Sequence, residues 1–214
     1  HITAGEGGMV YSQDANLMRI VRSLRDWGRD CWCPTGVSNT CGKRFQQSMG
    51  SLPDGYDHKY IYSQVGYNLK PLDLQAAIAR VQLRRLPDFH VARKRNFKVL
   101  RDGLDQVKSL SFMESLVSAE PSWFCFPITV EATASFDRDS LVSTLEKHRI
   151  ETRMIFSGNI TRQPGFQRAR TRISGSLTNT DRVMEQTFFV GVYPGLEQAN
   201  LEKIIETIKA FTEG

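Results

Sequence analysis

The sequence predicts an α/β fold, and two observations support this prediction. Apolar residues recur at helical spacing in several segments. The clearest case is the helix predicted over 196–211, where five apolar residues fall on one face. Between the helical segments lie two short apolar runs that are typical of strands, at 110–113 and 123–130. Strands that alternate with helices favour a layered structure with both kinds of element.

The first part of the chain predicts a hairpin, a helix and a long loop. Residues 1–3 and 9–11 predict two short strands around a Gly-Glu-Gly-Gly turn. Asp14 is placed to cap a helix that runs to about Trp27. Residues 28–62 are rich in glycine, cysteine, asparagine, aspartate and proline, without a sustained period. A loop of this length is usually functional.

The second part predicts a long helical segment followed by a small α/β unit. The helical pattern begins at Leu72 and continues to Leu104, and Pro87 should kink or split it. Besides the helix over 196–211, two helices are predicted, at 138–148 and 181–189. Because the chain opens in mid-hairpin without an initiator methionine, we expect it to be part of a longer protein.

Composition and charge narrow the class of protein. Of the 214 residues, 40% are hydrophobic and 24% are charged, which is ordinary for a globular domain. No apolar run has the length that spans a membrane, and the first residues do not resemble a secretory signal, so we expect a cytoplasmic protein with no membrane partner. The net charge of +5 suits an anionic ligand. No nucleic-acid-binding signature is present, so we expect no such partner.

Three clustered cysteines are the clearest chemical signal in the loop. Cys31, Cys33 and Cys41 follow the spacing C-x-C-x7-C, whereas Cys125 stands apart in an apolar strand and is interpreted as a core thiol. Clustered cysteines without a secretory signal favour metal or iron–sulfur ligation over disulfides. The spacing leaves three readings open: an iron–sulfur cluster that lacks its fourth ligand, a zinc site completed by His58, and three unrelated thiols.

Several longer motifs carry a resemblance to a known family. Residues 2–8 resemble the T-x-G-E-G-G hairpin of the sugar aminotransferase family of fold type I vitamin-B6 enzymes, and residues 66–77 resemble its G-x-N-x-R-x-x-D-x-Q-A-A block, with Lys70 in place of arginine. One branch is more similar, the CDP-6-deoxy-L-threo-D-glycero-4-hexulose 3-dehydrases. The blocks that resemble this branch lie at 26–33, 39–45, 56–60, 157–164 and 178–182.

The resemblance implies a fold, a domain organisation and a reaction. The chain would be the C-terminal part of a fold type I pyridoxal-phosphate-dependent transferase: 1–71 the end of the large cofactor-binding domain, 72–106 a linking helical segment and 107–214 the small α/β domain. The implied reaction is dehydration at C3 of a CDP-linked 4-keto-6-deoxyhexose in the synthesis of dideoxysugars for O-antigen. It uses pyridoxamine 5'-phosphate (the amine form of pyridoxal 5'-phosphate), with histidine in place of the usual lysine. The resemblance further implies a [2Fe–2S] cluster that would accept electrons from an NADH-dependent iron–sulfur flavoprotein reductase, and a homodimeric enzyme.

The resemblance also assigns roles to individual residues. The catalytic base falls immediately before His1, so the chain contains no catalytic residue and is expected to be inactive alone. Cys31, Cys33 and Cys41 match three of the four cluster ligands. Asn68 and Glu6 match cofactor-binding positions, although the residues alone also fit a turn asparagine and a hairpin carboxylate. The substrate-binding candidates, which without the family would be ordinary surface residues, are Arg153, Asn159 and Arg162.

Two other functions remain open from the sequence. The first is a pyridoxal-phosphate-dependent nucleotide-sugar aminotransferase of the same fold, which a lysine immediately before His1 would indicate. The second is a non-catalytic zinc-binding module that uses the three loop cysteines and a local ligand such as His58. For His58 itself, the residue type and position favour a structural hydrogen bond.

Overall fold

A computed structural model describes residues 1–214 and contains five α-helices and four strands. In chain order these are α1 (Ala15–Arg25), α2 (Asp73–Gly103), β1 (Leu110–Phe112), β2 (Cys125–Val130), α3 (Arg138–Lys147), β3 (Thr152–Met154), α4 (Thr178–Gln186), β4 (Thr187–Gly191) and α5 (Gln198–Glu213). The chain divides into two compact units, which we call the N-terminal region (Ile2–Leu83) and the C-terminal region (His1 with Arg84–Gly214). The division falls within the predicted linking segment 72–106, whose role as a linker stays a prediction. None of the helices combines the length and apolar character needed to cross a membrane.

The C-terminal region is built on a four-stranded antiparallel sheet. Its strand order is β1-β2-β4-β3, so the two longer strands lie at the centre and the two three-residue strands at the edges. Phe126 on β2 is paired with Val190 on β4, and Arg153 on β3 is paired with Phe189 on β4. Residues on β2 alternate between buried and half-buried, as expected for a strand with one face on a core.

One hydrophobic core fills the C-terminal region. Helices α3 and α5 pack against each other, and both contribute fully buried leucines or isoleucines. The ring of Phe97 on α2 stacks on Trp123 with centroids 3.9 Å apart and meets Phe126 edge-on at 4.9 Å. The fully buried side chains of this core are Leu100, Leu104, Phe126, Ile128, Leu141, Leu145, Phe188, Val190, Val192, Leu201 and Ile208.

The N-terminal region is organised around the end of α1. Asp14 caps this helix as predicted, since its carboxylate accepts hydrogen bonds from the backbone N–H groups of Asn16 and Leu17. At the other end, Gly28 adopts φ +86° and lies so close to residues 64–66 that a Cβ atom would be 1.9 Å from the Gln64 carbonyl oxygen. Only a residue without a side chain fits here, so this glycine fixes where the loop leaves the helix.

Several predicted elements are confirmed, and two are wrong. Helices α3 and α5 and strands β1 and β2 lie within two residues of their predicted bounds. The opening hairpin strands do not form, because residues 1–3 and 9–11 have no ladder partners. The helix predicted over 181–189 spans Thr178–Gln186 instead, and the next residues form the central strand β4, whose pairing on both sides overrides the helical pattern. Pro87 does not split α2, which is continuous across it.

Candidate functional site

The cysteine loop of the N-terminal region contains three neighbouring thiols. Burial, together with the neighbouring Cys33 and Cys41, raises the pKa of Cys31. Cys33 Sγ lies 3.1 Å from Thr40 Oγ1, and the hydroxyl and backbone of Thr40 lower the pKa of Cys33 to about 7. The backbone N–H of Lys43 donates to Cys41 Sγ at 3.4 Å. The lowered pKa favours the thiolate of Cys33, which is the form that binds metal.

The donor types in the loop fit a thiolate-bound cluster, but the loop does not form a closed set of ligands. No group of three or more histidine, cysteine, aspartate or glutamate side chains is arranged to hold a metal ion. His58 therefore does not complete a zinc site with the loop cysteines; it is 2% exposed and its Nε2 lies 2.6 Å from Asp30 Oδ2. The predicted structural hydrogen bond of His58 is therefore confirmed.

The Asp30–His58 pair anchors the loop to α1. Although burial opposes it, hydrogen bonds from His58 and Ser63 and the charge of Arg19 lower the pKa of Asp30. The indole of Trp32 meets the His58 ring edge-on at 5.5 Å, and the Arg19 guanidinium lies over the indole at 4.4 Å. Sequence reasoning missed Asp30, since a single aspartate next to a cysteine gives no periodic or spacing signal.

A second ion pair closes the far end of the loop. The Arg44 guanidinium donates to both carboxylate oxygens of Asp57, with Nε–Oδ1 at 2.8 Å and Nη2–Oδ2 at 2.5 Å. This arginine, helped by the backbone N–H of Lys59, lowers the pKa of Asp57 to about 2. The backbone N–H of His58 donates to the Arg44 carbonyl at 2.9 Å, so the pair positions the buried histidine.

The cofactor-binding candidates Glu6 and Asn68 have exposed side chains that make no hydrogen bonds within the chain. The backbone of Asn68 forms an isolated bridge with Asp26 just after α1. The carbonyl of Glu6 accepts a hydrogen bond from the Gln75 side chain at 2.8 Å. Lys70, at the position where the resemblance expects arginine, donates to the Thr35 hydroxyl at 2.7 Å. Both candidate side chains are free to contact a ligand, and their roles stay predictions.

A cleft of about 690 Å³ opens in the C-terminal region. Its walls combine cationic side chains with aromatic rings, a composition that suits an anionic ligand with a flat apolar part. Phe156, which is 76% exposed, adopts φ +46°, a left-handed conformation that is uncommon for a bulky residue. The charged and aromatic residues of the cleft are Arg93, Phe124, Arg149, Glu151, Arg153, Phe156, Phe189, Tyr193 and Lys203.

Two arginines of this cleft differ in their hydrogen bonds and in their burial. Arg93 donates through Nη1 to the carbonyls of Trp123 and Phe124, at 3.2 and 3.0 Å, while its buried Nε has no partner and burial lowers its pKa. Arg153, one of the substrate-binding candidates, is exposed and paired with Glu151 at 2.7 Å. Sequence reasoning missed Arg93, which lies within a helical run of basic residues that reads as a solvated face.

The other two substrate-binding candidates are held by α4. Asn159 is 3% exposed, donates to Asp181 Oδ1 at 2.7 Å and accepts from the backbone and hydroxyl of Thr161. Arg162 pairs with Asp181 at 3.1 Å and with Glu185 at 2.7 Å. Their polar groups are thus engaged within the protein, and a substrate contact by either one stays a prediction.

His1 lies against the wall of the same cleft. Its Nε2 is 2.7 Å from the Ser122 carbonyl oxygen, and its ring is parallel to that of Phe124 at 6.4 Å between centroids. Cys125, the fourth cysteine, lies in the same region on strand β2. Burial raises the pKa of its half-buried thiol, in keeping with its interpretation as a core thiol.

Comparison with known proteins identifies the family. Residues 1–209 match the DegT/DnrJ/EryC1/StrS aminotransferase family, and the chain belongs to it. Over 211 residues it is 52% identical to dTDP-4-dehydro-2,6-dideoxy-D-glucose 3-dehydratase of Saccharopolyspora spinosa, covering 99% of this chain and 46% of the relative. Over 212 residues it is 49% identical to the lipopolysaccharide biosynthesis protein RfbH of Salmonella typhimurium, covering 99% and 48%. The chain thus spans about half the length of the curated relatives it matches.

The comparison with solved structures confirms the predicted fold class. A GDP-4-keto-6-deoxymannose-3-dehydratase mutant with bound GDP-perosamine superposes with a TM-score of 0.76 at 22% identity, covering 92% of this chain and 49% of that one. At this level of identity the likeness shows the fold alone, which is that of a fold type I pyridoxal-phosphate-dependent enzyme.

Proposed function

We propose that this chain, as a member of the DegT/DnrJ/EryC1/StrS family, is part of an enzyme that removes the C3 hydroxyl of a CDP-linked 4-keto-6-deoxyhexose. In the overall reaction the C3–O bond breaks and a C3–H bond forms, so the sugar gains two electrons. NADH supplies them, and with one proton the products are the 3-deoxy sugar, NAD⁺ and water. The 3-dehydratase name of the relative at 52% identity supports this reaction over transamination.

The observation that carries the proposal is the position of His1 beside the basic and aromatic cleft. The ring of His1 is parallel to Phe124, and the cleft also contains the guanidinium of Arg153. A base bonded to His1 would therefore act near a site with the charge to bind a nucleotide diphosphate and the rings to contact a base. An imidazole there can hold or release a proton near neutral pH.

The cofactors are assigned to exposed groups of the N-terminal region. Asn68 and Glu6 have free side chains that would hold pyridoxamine 5'-phosphate, which supplies an amine and an electron-accepting ring when bound. Cys31, Cys33 and Cys41 would provide three ligands of a [2Fe–2S] cluster, with the fourth from another part of the protein. The lowered pKa of Cys33 supports this assignment, because a thiolate is required.

The proposal extends to partners and assembly. We expect a homodimer in the cytoplasm, an NADH-dependent iron–sulfur flavoprotein reductase as electron donor, and a role in dideoxysugar and O-antigen synthesis. The 214-residue chain alone should give no turnover, because the base position lies outside it.

The test is a product assay on the full-length protein with pyridoxamine phosphate, CDP-4-keto-6-deoxyglucose, NADH and the reductase. The expected product is the CDP-sugar without its C3 oxygen, identified by mass spectrometry, together with oxidised NADH. An amino sugar formed with glutamate as donor, and no NADH oxidation, would establish the aminotransferase instead. Replacing Arg153 with Gln should raise the KM for the CDP-sugar roughly tenfold, since a charge-assisted hydrogen bond to phosphate is lost.

A further inference from the structure

Three phenylalanine rings form a closed cluster on the wall of the cleft in the C-terminal region. Phe124 directly precedes β2, Phe156 lies two residues after β3, and Phe189 is at the middle of β4. The ring centroids of Phe124 and Phe156 are 6.0 Å apart, and so are those of Phe124 and Phe189. The third pair, Phe156 and Phe189, is 6.2 Å apart. Each ring therefore lies beside both of the others, at distances usual for aromatic pairs.

This aromatic cluster is buried on one side and open on the other. Phe189 is 7% exposed and forms its base, whereas Phe124 is 56% and Phe156 is 76% exposed. Exposed rings that share a concave surface lose free energy to water, which a ligand with an apolar face recovers. Stacked carbon atoms are about 3.5–4 Å apart, so a third ring does not fit between Phe124 and Phe156. A flat ligand group would bind on the open face of the cluster.

The backbone at Phe124 is fixed by Arg93 on α2. The Nη1 group of Arg93 donates to the carbonyls of Trp123 and Phe124, at 3.2 and 3.0 Å. The ring of Trp123 is in turn stacked on Phe97 of the core with centroids 3.9 Å apart. Because residues 113–124 contain no helix or strand, these contacts determine where the Phe124 ring enters the cleft.

Arg93 is bound by carbonyl oxygens and by no carboxylate. It takes part in none of the ion pairs of the chain, and its buried Nε has no partner. Burying a cation without an acidic partner costs free energy, and burial accordingly lowers the pKa of Arg93. Groups held at such a cost are characteristic of binding and catalytic sites.

We propose that Phe124 and Phe156 are the platform on which the base of the bound nucleotide stacks, and that Arg93 is the positioning residue that holds Phe124 for this contact. The inference rests on the proposed function, which makes the ligand a CDP-linked sugar. A pyrimidine supplies the flat aromatic face that the platform lacks, and Arg153 in the same cleft suits the diphosphate. Stacking tolerates any base, so the platform provides affinity for the nucleoside and not the choice of cytosine.

The test measures binding of CDP and of pyrophosphate to the full-length protein by isothermal titration calorimetry, without turnover. Phe124→Leu should weaken CDP binding about tenfold, because a stacking contact is lost, and leave pyrophosphate binding unchanged. Phe124→Tyr, which keeps the ring, should bind CDP like the wild type, and Phe156→Leu should resemble Phe124→Leu. Phe45→Leu is the matched control and should have no effect, because Phe45 is 57% exposed but lies in the N-terminal region.

The positioning role of Arg93 is tested by a double-mutant cycle. Arg93→Gln should weaken CDP binding about fivefold, since the hydrogen bonds that hold Phe124 are lost. In the Phe124→Leu background the same substitution should cause no further loss, because Arg93 acts through this ring. Arg93→Lys, which retains a donor for the carbonyls, should show a smaller loss. In turnover, Arg93→Gln should raise the KM for the CDP-sugar and leave kcat near the wild-type value.

Several results would overturn this inference. For the platform they are no CDP binding by the wild type, unchanged CDP binding by Phe124→Leu, and an equal loss in Phe45→Leu. For Arg93 they are unchanged CDP binding by Arg93→Gln, additive losses in the double variant, and an equal loss of pyrophosphate binding, which would indicate a direct contact with phosphate. The proposed function is judged separately by the product assay, because affinity for CDP does not depend on removal of the C3 hydroxyl.

Discussion

The two regions of this chain are held together by different forces. The C-terminal region has a continuous apolar core in which eleven side chains, from Leu100 to Ile208, are fully buried. In the N-terminal region the buried residues are Gly28, His58 and Ile61, and order comes from a glycine contact, two carboxylate pairs and stacked cations. Regions that depend on polar contacts have lower local stability and often carry function. The core thus provides the rigid part, and the cysteine loop provides the chemistry.

The largest effect should come from opening the C-terminal core. Phe126→Ala removes a fully buried ring that contacts Phe97 and Phe112, and it should lower the free energy of unfolding by about 3–5 kcal/mol. Urea unfolding followed by the fluorescence of Trp123 would measure this. The control Leu116→Ala changes a side chain that is 77% exposed and should cost less than about 0.5 kcal/mol. Equal costs would mean that the core does not dominate stability.

The next effect concerns backbone packing in the N-terminal region. Gly28→Ala combines a left-handed conformation with a Cβ atom 1.9 Å from the Gln64 oxygen, and it should destabilise this region by about 3 kcal/mol. Gly36→Ala is the matched control, with φ +82° but open space around it, and should cost only about 1 kcal/mol. Site-resolved hydrogen exchange over 24–30 and 61–69 distinguishes the two. Similar protection in both variants would refute the close contact.

A third prediction concerns how the stability of the N-terminal region depends on pH through the Arg44–Asp57 ion pair. Because its folded pKa is about 2, below the ordinary value of about 3.9, Asp57 contributes stability above pH 4 that is lost as the pH falls towards 2. Arg44→Gln should remove this contribution, so hydrogen exchange of the loop at pH 5 should become faster and depend less on acidification. Lys43→Gln, which changes an adjacent charge outside the ion pairs, should retain the wild-type profile. An unchanged profile in Arg44→Gln would show that the pair contributes nothing.

The smallest expected effect is a change in the pKa of the Cys33 thiol. In metal-free protein, Thr40→Val removes the hydroxyl that lies 3.1 Å from Cys33 Sγ, and the pKa of Cys33 should rise from about 7 towards its ordinary value of about 8.5. The pH dependence of iodoacetamide alkylation, followed by mass spectrometry at this residue, measures the change. Thr35→Val, which removes a hydroxyl bonded to Lys70, should leave the alkylation profile of Cys33 unchanged. A rise in both variants would point to a general opening of the loop.

The same contrast explains how much the sequence could predict. Local apolar periodicity predicts helices α3 and α5 and strand β2. The Asp14 cap follows from its residue type. Strand β4 was read as helix because its first four residues are all buried, so it has no alternation to mark it as a strand. Its position between β2 and β3 comes from pairing with residues 34 to 66 positions away, which a local pattern does not contain.

The candidate sites follow the same rule. The cysteine spacing identified Cys31 and Cys33 as neighbours, and in the structure Cys33 contributes to the raised pKa of Cys31. The partners that tune and anchor them, Thr40 and Asp30, are ordinary polar residues whose effect depends on distances that the sequence does not state. Asn159 is a further case, since its burial and its hydrogen bond to Asp181 depend on contacts that the sequence does not state, while its role towards substrate stays a prediction.

The order of strands in the C-terminal sheet has a consequence for solubility. Both edges are closed by strands of only three residues, Leu110–Phe112 and Thr152–Met154, while the longer strands lie inside. Short edges offer few free backbone groups for another chain to pair with, which disfavours edge-to-edge aggregation. The region can therefore keep the apolar strand Thr187–Gly191 at its centre without exposing a template for fibril growth.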